Sequence, residues 1–190
     1  QWISGVICYD ETLRQKTRDG VPFPDYLTRL GIIPGIKVDT GAKPLAGYPN
    51  ETITEGLDGL RERLAEYYKL GARFAKWRAV IDIGTAVPTL YAIRANAHAL
   101  ARYAALCQEQ QIVPIVDLCK RFLVADRSGS SDTERRIIVV NMSGQNIGIL
   151  VDGVSEILRI PDESIDQISS SKRCEKNPSI TPPDLIRRTL

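Results

Sequence analysis

The chain has 190 residues, enough for one sizeable domain or for one domain with a small appendage. Its composition, 43% hydrophobic and 25% charged, is that of a soluble globular protein, and a formal charge of +2 is too small to argue for nucleic acid as a partner. The longest uncharged apolar runs, residues 137–140 and 147–151, fall far short of a membrane span, and no secretory leader pattern opens the chain. Cys8, Cys107, Cys119 and Cys174 lie far apart without CxxC spacing, which argues against metal or redox use and for reduced, buried thiols in a cytoplasmic protein.

Residues 3–9 are a short β-rich run, followed by polar loop residues 10–24 and a short helix over 25–30. Residues 35–39 read as a second strand, apolar except for Lys37, and a long Gly/Pro/Asn-containing loop is expected over 40–54. Leu57, Leu60, Leu64 and Tyr67 or Tyr68 then recur at helical spacing, and Gly71 sits where a C-terminal cap is expected. Residues 74–81 read as a third strand. Trp77 alternates to the side opposite Lys76 and Arg78, where it packs under a helix. The best helix covers 89–110, free of Gly and Pro, with Ile93, Ala97, Leu100, Ala101 and Ala104 as its apolar stripe and His98 as a surface or packing residue. Residues 112–116 form the fourth strand. Strands alternating with helices imply right-handed βαβ units and a parallel sheet.

Lys37, Lys76, Arg78 and Asp117 all lie within or at the ends of these apolar strands. In a parallel sheet covered by helices, ionisable side chains at such positions need a partner or a water-filled mouth. One such lysine alone is more often an edge residue turned to solvent. Four on three consecutive units favour a shared mouth at the C-terminal ends of the strands, where barrel enzymes place their chemistry. Two lysines and an arginine against one carboxylate suit an anionic ligand such as a sugar phosphate, because Arg clasps phosphate oxygens in a fork and Lys supplies a point charge. Nothing in the pattern calls for a cofactor or a metal.

The stretches Ile-Ser-Gly-Val-Ile at 3–7, Asp-Glu-Thr-Leu at 10–13, Gly-Ile-Lys-Val-Asp at 35–39, Pro-Leu-Ala-Gly at 44–47, Thr-Glu-Gly-Leu-Asp-Gly-Leu at 54–60, Phe-Ala-Lys-Trp-Arg at 74–78 and Ala-Leu-Ala-Arg-Tyr at 99–103 together closely resemble class I fructose-bisphosphate aldolase. The resemblance covers residues 1 to about 116. It implies that the four strands are the second to fifth strands of an eight-stranded (β/α)8 barrel. It implies further that Lys37 and Lys76 are active-site lysines with Lys76 next to the reacting carbons, and that Arg78 helps bind a substrate phosphate. Asp117 falls where the family has the glutamate that shuttles protons.

There are departures. The family's Val-Glu-Pro-Glu reads Val116-Asp117-Leu118-Cys119. The first-strand aspartate, the sixth-strand lysine that forms the Schiff base and the phosphate-holding elements of the last two strands have no counterpart. A covalent amine mechanism needs its own desolvated lysine within reach of the carbonyl, and residues that act as a unit lose most of their rate enhancement when the nucleophile goes. Aldolase turnover is therefore not expected.

Beyond residue 117 the pattern changes. Residues 126–134 read as a polar linker, and 135–141 and 146–152 flank a Gly-containing turn as a hairpin. Residues 154–160 continue as a strand. With residues 112–122, these apolar runs and the Val-Asp-Gly-Val-Ser-Glu run at 151–156 resemble the CheW-type chemotaxis coupling domain over about 112–168. That likeness implies small antiparallel β-barrels bridging a receptor to a histidine kinase. Asp152 and Glu156 read as solvated charges, and 169–190 as a frayed tail.

The expected architecture is α/β: an aldolase-like half barrel of four parallel βα units over 1–117, a short antiparallel hairpin segment over 118–168, and the tail. Three functions compete: a composite scaffold with residual sugar-phosphate affinity, an active aldolase using Lys76 or Lys37, and a signalling adaptor with a histidine kinase or receptor as partner. Half barrels expose two sheet edges, so self-association through them is a further expectation.

Overall fold

The computed structural model describes residues 3–122, 136–142 and 144–151. The expected linker, the strand over 154–160 and the tail lie outside the described residues. In chain order the elements are β1 (Gly5–Cys8), α1 (Asp10–Arg14), α2 (Phe23–Arg29), β2 (Ile33–Lys37), β3 (Gly41–Pro44), β4 (Thr52–Glu55), α3 (Leu60–Lys69), β5 (Phe74–Ile83), α4 (Leu90–Glu109), β6 (Val113–Phe122), β7 (Arg136–Met142) and β8 (Gln145–Val151). One six-stranded sheet has the order β1-β2-β5-β6-β8-β7, and β3 and β4 pair apart from it. β1, β2, β5 and β6 are mutually parallel, as the alternation of strands and helices predicts. β8 then lies parallel beside β6, and β7 folds back antiparallel on β8 as the last strand. The hairpin therefore extends the half barrel at its β6 edge.

Local chemistry explains the helices. Thr89 caps α4 by accepting a hydrogen bond from the Ala92 N–H through its hydroxyl. Gly71, past the end of α3, takes φ +109°, a conformation that needs no Cβ. The core lies between sheet and helices and includes Ile36, Val38, Leu60, Leu64, Tyr67, Trp77, Tyr103, Cys107 and Ile112. Trp77 is fully buried, with its ring 5.3 Å from that of Tyr103. The Tyr103 hydroxyl sits between β5 and β6, 2.6 Å from the Ala75 carbonyl and 3.1 Å from that of Ile115, and accepts the Ile115 N–H at 3.0 Å. Phe74 lies against Gly35 so closely that a Cβ there would collide with the ring.

Four expectations are corrected. The loop over 10–24 contains α1, a short helix with one buried apolar residue, Leu13, and hence little periodic signal. The loop over 40–54 contains the antiparallel β3–β4 pair, whose four-residue strands, one of them holding Gly and Pro, carry little apolar alternation. The buried face of α4 is Ala92, Asn96, Ala99, Tyr103 and Cys107, whereas Ile93 is 44% exposed and Ala97 and Ala101 are exposed. Two polar residues occupy that inward stripe because both find backbone partners; Asn96 donates to the carbonyls of Thr52 and Ala92. Finally, β6 does not stop at 116. Its ladder with β5 runs from Phe74↔Val113 to Ile83↔Phe122.

Candidate active site

Strand alternation puts Lys37, Lys76, Arg78 and Asp117 on one face of the sheet, opposite Ile36, Ala75 and Trp77. Register completes the placement: Lys37 is the neighbour of Lys76, and Arg78 of Asp117. One carboxylate oxygen, Asp117 Oδ2, takes both Lys76 Nζ at 2.9 Å and Arg78 Nε at 2.7 Å. The Lys76 and Asp117 side chains are 7% and 10% exposed, and that of Arg78 is 43% exposed. Burial pushes the Asp117 carboxyl up. Hydrogen bonds from Arg78 and Lys76, with their charges, outweigh it and hold the group below its ordinary value.

Lys37 stands on the adjacent strand, but its ammonium turns to Asp39, 2.9 Å from Oδ1 and 2.7 Å from the backbone carbonyl. It also lies 5.9 Å from the centre of the Tyr9 ring. Lys76 and Arg78 thus both touch Asp117, and Lys37, the fourth expected residue, is held beside them. Lys37 closes β2, as expected of a mouth at strand ends. Arg78 and Asp117 instead fall in the middle of ten-residue strands, because the β5–β6 ladder continues beyond them.

That overrun leaves one edge of β5 without a strand partner where β2 ends, and side chains take over. The Val38 N–H still donates to the Lys76 carbonyl at 3.2 Å. Further on, Asp39 Oδ2 accepts the Arg78 N–H at 3.3 Å, the Thr54 hydroxyl donates to the Arg78 carbonyl at 2.7 Å, and the Thr52 hydroxyl donates to the Val80 carbonyl at 2.7 Å. Buried backbone groups must find such partners. The β3–β4 pair is fixed in turn by the buried Glu51, whose carboxylate accepts the Thr89 N–H at 2.6 Å and the Thr89 hydroxyl at 2.7 Å. Asp39, Glu51, Thr52 and Thr54 escape a reading by strand and helix period; the clue available was the Thr52/Thr54 spacing of two in a segment taken for loop.

Chemically, a buried ammonium and carboxylate in contact can pass a proton to and from a bound ligand, and the half-exposed guanidinium can grip an anionic oxygen. Among the described residues no three His, Cys, Asp or Glu side chains cluster as a metal cage.

A curled, mostly parallel sheet backed by helices, with lysines, an arginine and a carboxylate on its other face, defines a half-barrel protein of the βα type. The chain belongs to the class-I fructose-bisphosphate aldolase family, whose model matches residues 1–123. The CheW-like domain matches residues 102–180, overlapping it. A probable class 1 fructose-bisphosphate aldolase of Xanthomonas axonopodis pv. citri is 53% identical over 179 residues, covering 94% of this chain and 52% of that protein. Its counterpart in Xanthomonas campestris pv. campestris is 71% identical over 116 residues, 61% of this chain and 35% of that one. The fructose-bisphosphate aldolase of Plasmodium falciparum, solved with TRAP and a small-molecule inhibitor, superposes with a TM-score of 0.58 at 50% identity, covering 62% of this chain and 35% of that one. The chain thus spans between a third and about half of the length of these relatives. Among the described residues no helix is long and apolar enough to cross a membrane.

Proposed function

We propose that the chain is an aldolase-derived composite that binds phosphorylated sugars at the mouth formed by Lys37, Lys76 and Arg78 and cleaves fructose 1,6-bisphosphate little or not at all. The aldolase-like half barrel supplies this mouth, and the β7–β8 hairpin is the appended part. Three cations held on one sheet face, with Arg78 half open to solvent, favour an anionic ligand. Lys76 and Asp117 have the roles of a proton-transfer pair, and Lys37 and Arg78 those of phosphate or hydroxyl contacts.

The observation that carries the second half of the reading is the neighbour of Asp117. The resemblance puts an imine-forming lysine on the next strand of the barrel. Here the strand parallel to β6 is β8, which contains no lysine and sets Leu150 beside Asp117. Aspartate in place of glutamate also withdraws the carboxylate by one methylene, and misplacement on that scale costs about a hundredfold in rate.

A second reading, an active class I aldolase with Lys76 or Lys37 as the amine, is favoured by the relatives' names and by the intact Lys76–Asp117 pair. A third, a signalling adaptor docking a kinase or receptor, rests on the CheW-like match. Borohydride treatment with dihydroxyacetone phosphate, read by intact mass beside a coupled cleavage assay, separates them. The proposal expects an unmodified mass, no cleavage and salt-sensitive binding of fructose 1,6-bisphosphate. An adduct, or cleavage abolished by Lys76→Ala, establishes the second reading. Absence of binding and cleavage, with capture of a kinase domain, leaves the third.

A further inference from the structure

Asp39 is the most heavily engaged carboxylate near the mouth, yet it belongs to neither of the pairs formed by Asp117. Its side chain is 2% exposed and makes three contacts of different kinds. Oδ1 takes the Lys37 ammonium at 2.9 Å and the Gly41 N–H at 3.2 Å, and Oδ2 takes the Arg78 N–H at 3.3 Å. We infer that Asp39 is a positioning residue for the anion site: it holds the Lys37 ammonium at the mouth and fixes the β5 backbone from which Arg78 projects. The inference rests on the binding reading above and extends it to a residue outside the ligand-contacting set.

The geometry shows why a carboxylate is needed at this position. β2 separates from β5 just after Lys37, so the Arg78 N–H faces a gap that no strand fills. A carboxylate at the end of β2 reaches that gap with one oxygen and keeps the other for the lysine two residues earlier. Thr54 grips the carbonyl of the same Arg78 peptide neighbourhood from the β3–β4 side at 2.7 Å, so the arginine's backbone is pinned at both polar groups. Lys37 Nζ spends two of its three N–H groups on Asp39, on the carboxylate and on the backbone carbonyl, which leaves one to meet a ligand. A side chain that otherwise samples many rotamers is thereby preorganised.

The test exploits opposite signs. Asp39→Asn keeps the shape, removes one negative charge and so raises the positive potential of the mouth. If Asp39 were only a counter-charge, the variant would bind fructose 1,6-bisphosphate more tightly. Positioning requires that it bind about tenfold more weakly, and that the loss shrink in a Lys37→Ala background to the part carried through the Arg78 backbone. A second readout needs no ligand: site-resolved labelling of lysines with acetic anhydride. Losing a charge-assisted hydrogen bond should speed labelling of Lys37 by about fivefold in Asp39→Asn. Thr54→Val, which leaves Asp39 untouched, should keep Lys37 labelling within about twofold of wild type. In the wild-type chain Lys37 should label more slowly than the exposed Lys43. Tighter or unchanged binding by Asp39→Asn, or Lys37 labelling equal in wild type and Asp39→Asn, overturns the assignment. A wild-type chain that binds no fructose 1,6-bisphosphate overturns the binding reading, while the labelling still decides the role of Asp39.

Discussion

Replacing Asp117 with Asn tests how the mouth is held together. Two cations share Asp117 Oδ2, and they differ in environment. Arg78 is 43% exposed, so its link is a surface-like pair contributing about 0–1 kcal/mol. Lys76 is 7% exposed, and removing the partner of a buried charge costs about 3–5 kcal/mol because the remaining charge stays desolvated. The Asn carbonyl can still accept one hydrogen bond, so the lower end applies: about 3 kcal/mol at pH 7. In urea unfolding this moves the midpoint down by about 1 to 2 M at unchanged slope. In a Lys76→Met background the same substitution should cost less than about 1 kcal/mol. The pH dependence fixes the sign. Asp117 has a folded pKa below its ordinary value, so its contribution is complete above that value and is lost as pH falls through the lower folded one. The gap between wild type and Asp117→Asn should therefore be full at pH 5–7 and narrow progressively as pH falls below the ordinary carboxylate range of about 4. A gap under about 0.5 kcal/mol at pH 7, or one that persists unchanged at pH 3, refutes a buried ion pair.

Three further outcomes are expected. Tyr103→Phe removes the buried hydroxyl between the Ala75 carbonyl and the Ile115 peptide and should cost about 1–3 kcal/mol in chemical denaturation, with near-native circular dichroism. Gly35→Ala forces a Cβ into the Phe74 ring and should destabilise by about 1–3 kcal/mol; pairing it with Phe74→Leu should recover part of the loss. Burial pushes the Cys107 thiol up to about 12, so mass-resolved alkylation at pH 8 should leave it unmodified in the native chain and modify it once urea unfolds the protein.

The parallel order of β1, β2, β5 and β6 was legible because apolar runs alternate with helical periods along residues 3–116. The four charged residues were legible for the same reason: a charge in such a run has few places to go. Trp77 was placed correctly by alternation alone. What stayed hidden depends on tertiary partners. The inward stripe of α4 includes Asn96 and Tyr103, which are tolerated there only because the carbonyls of Thr52 and Ala75 come within reach. Asp39 and Thr54 acquire a role only because β5 outruns β2, a mismatch of strand lengths that no single segment encodes. The parallel pairing of β8 with β6 was likewise invisible in sequence, since a hairpin does not announce which edge it joins.

The central claim is an anion-binding mouth built on Arg78 and the two lysines. Calorimetric titration of the wild-type chain and of Arg78→Ala with fructose 1,6-bisphosphate, each at low and at physiological ionic strength, tests it most directly. Charges are screened within about 8 Å at physiological salt but only over about 30 Å at 0.01 M, so wild-type affinity should fall as salt rises. Arg78→Ala should bind at least about tenfold more weakly. Binding that ignores both salt and the loss of Arg78, or no binding at either ionic strength, contradicts the claim.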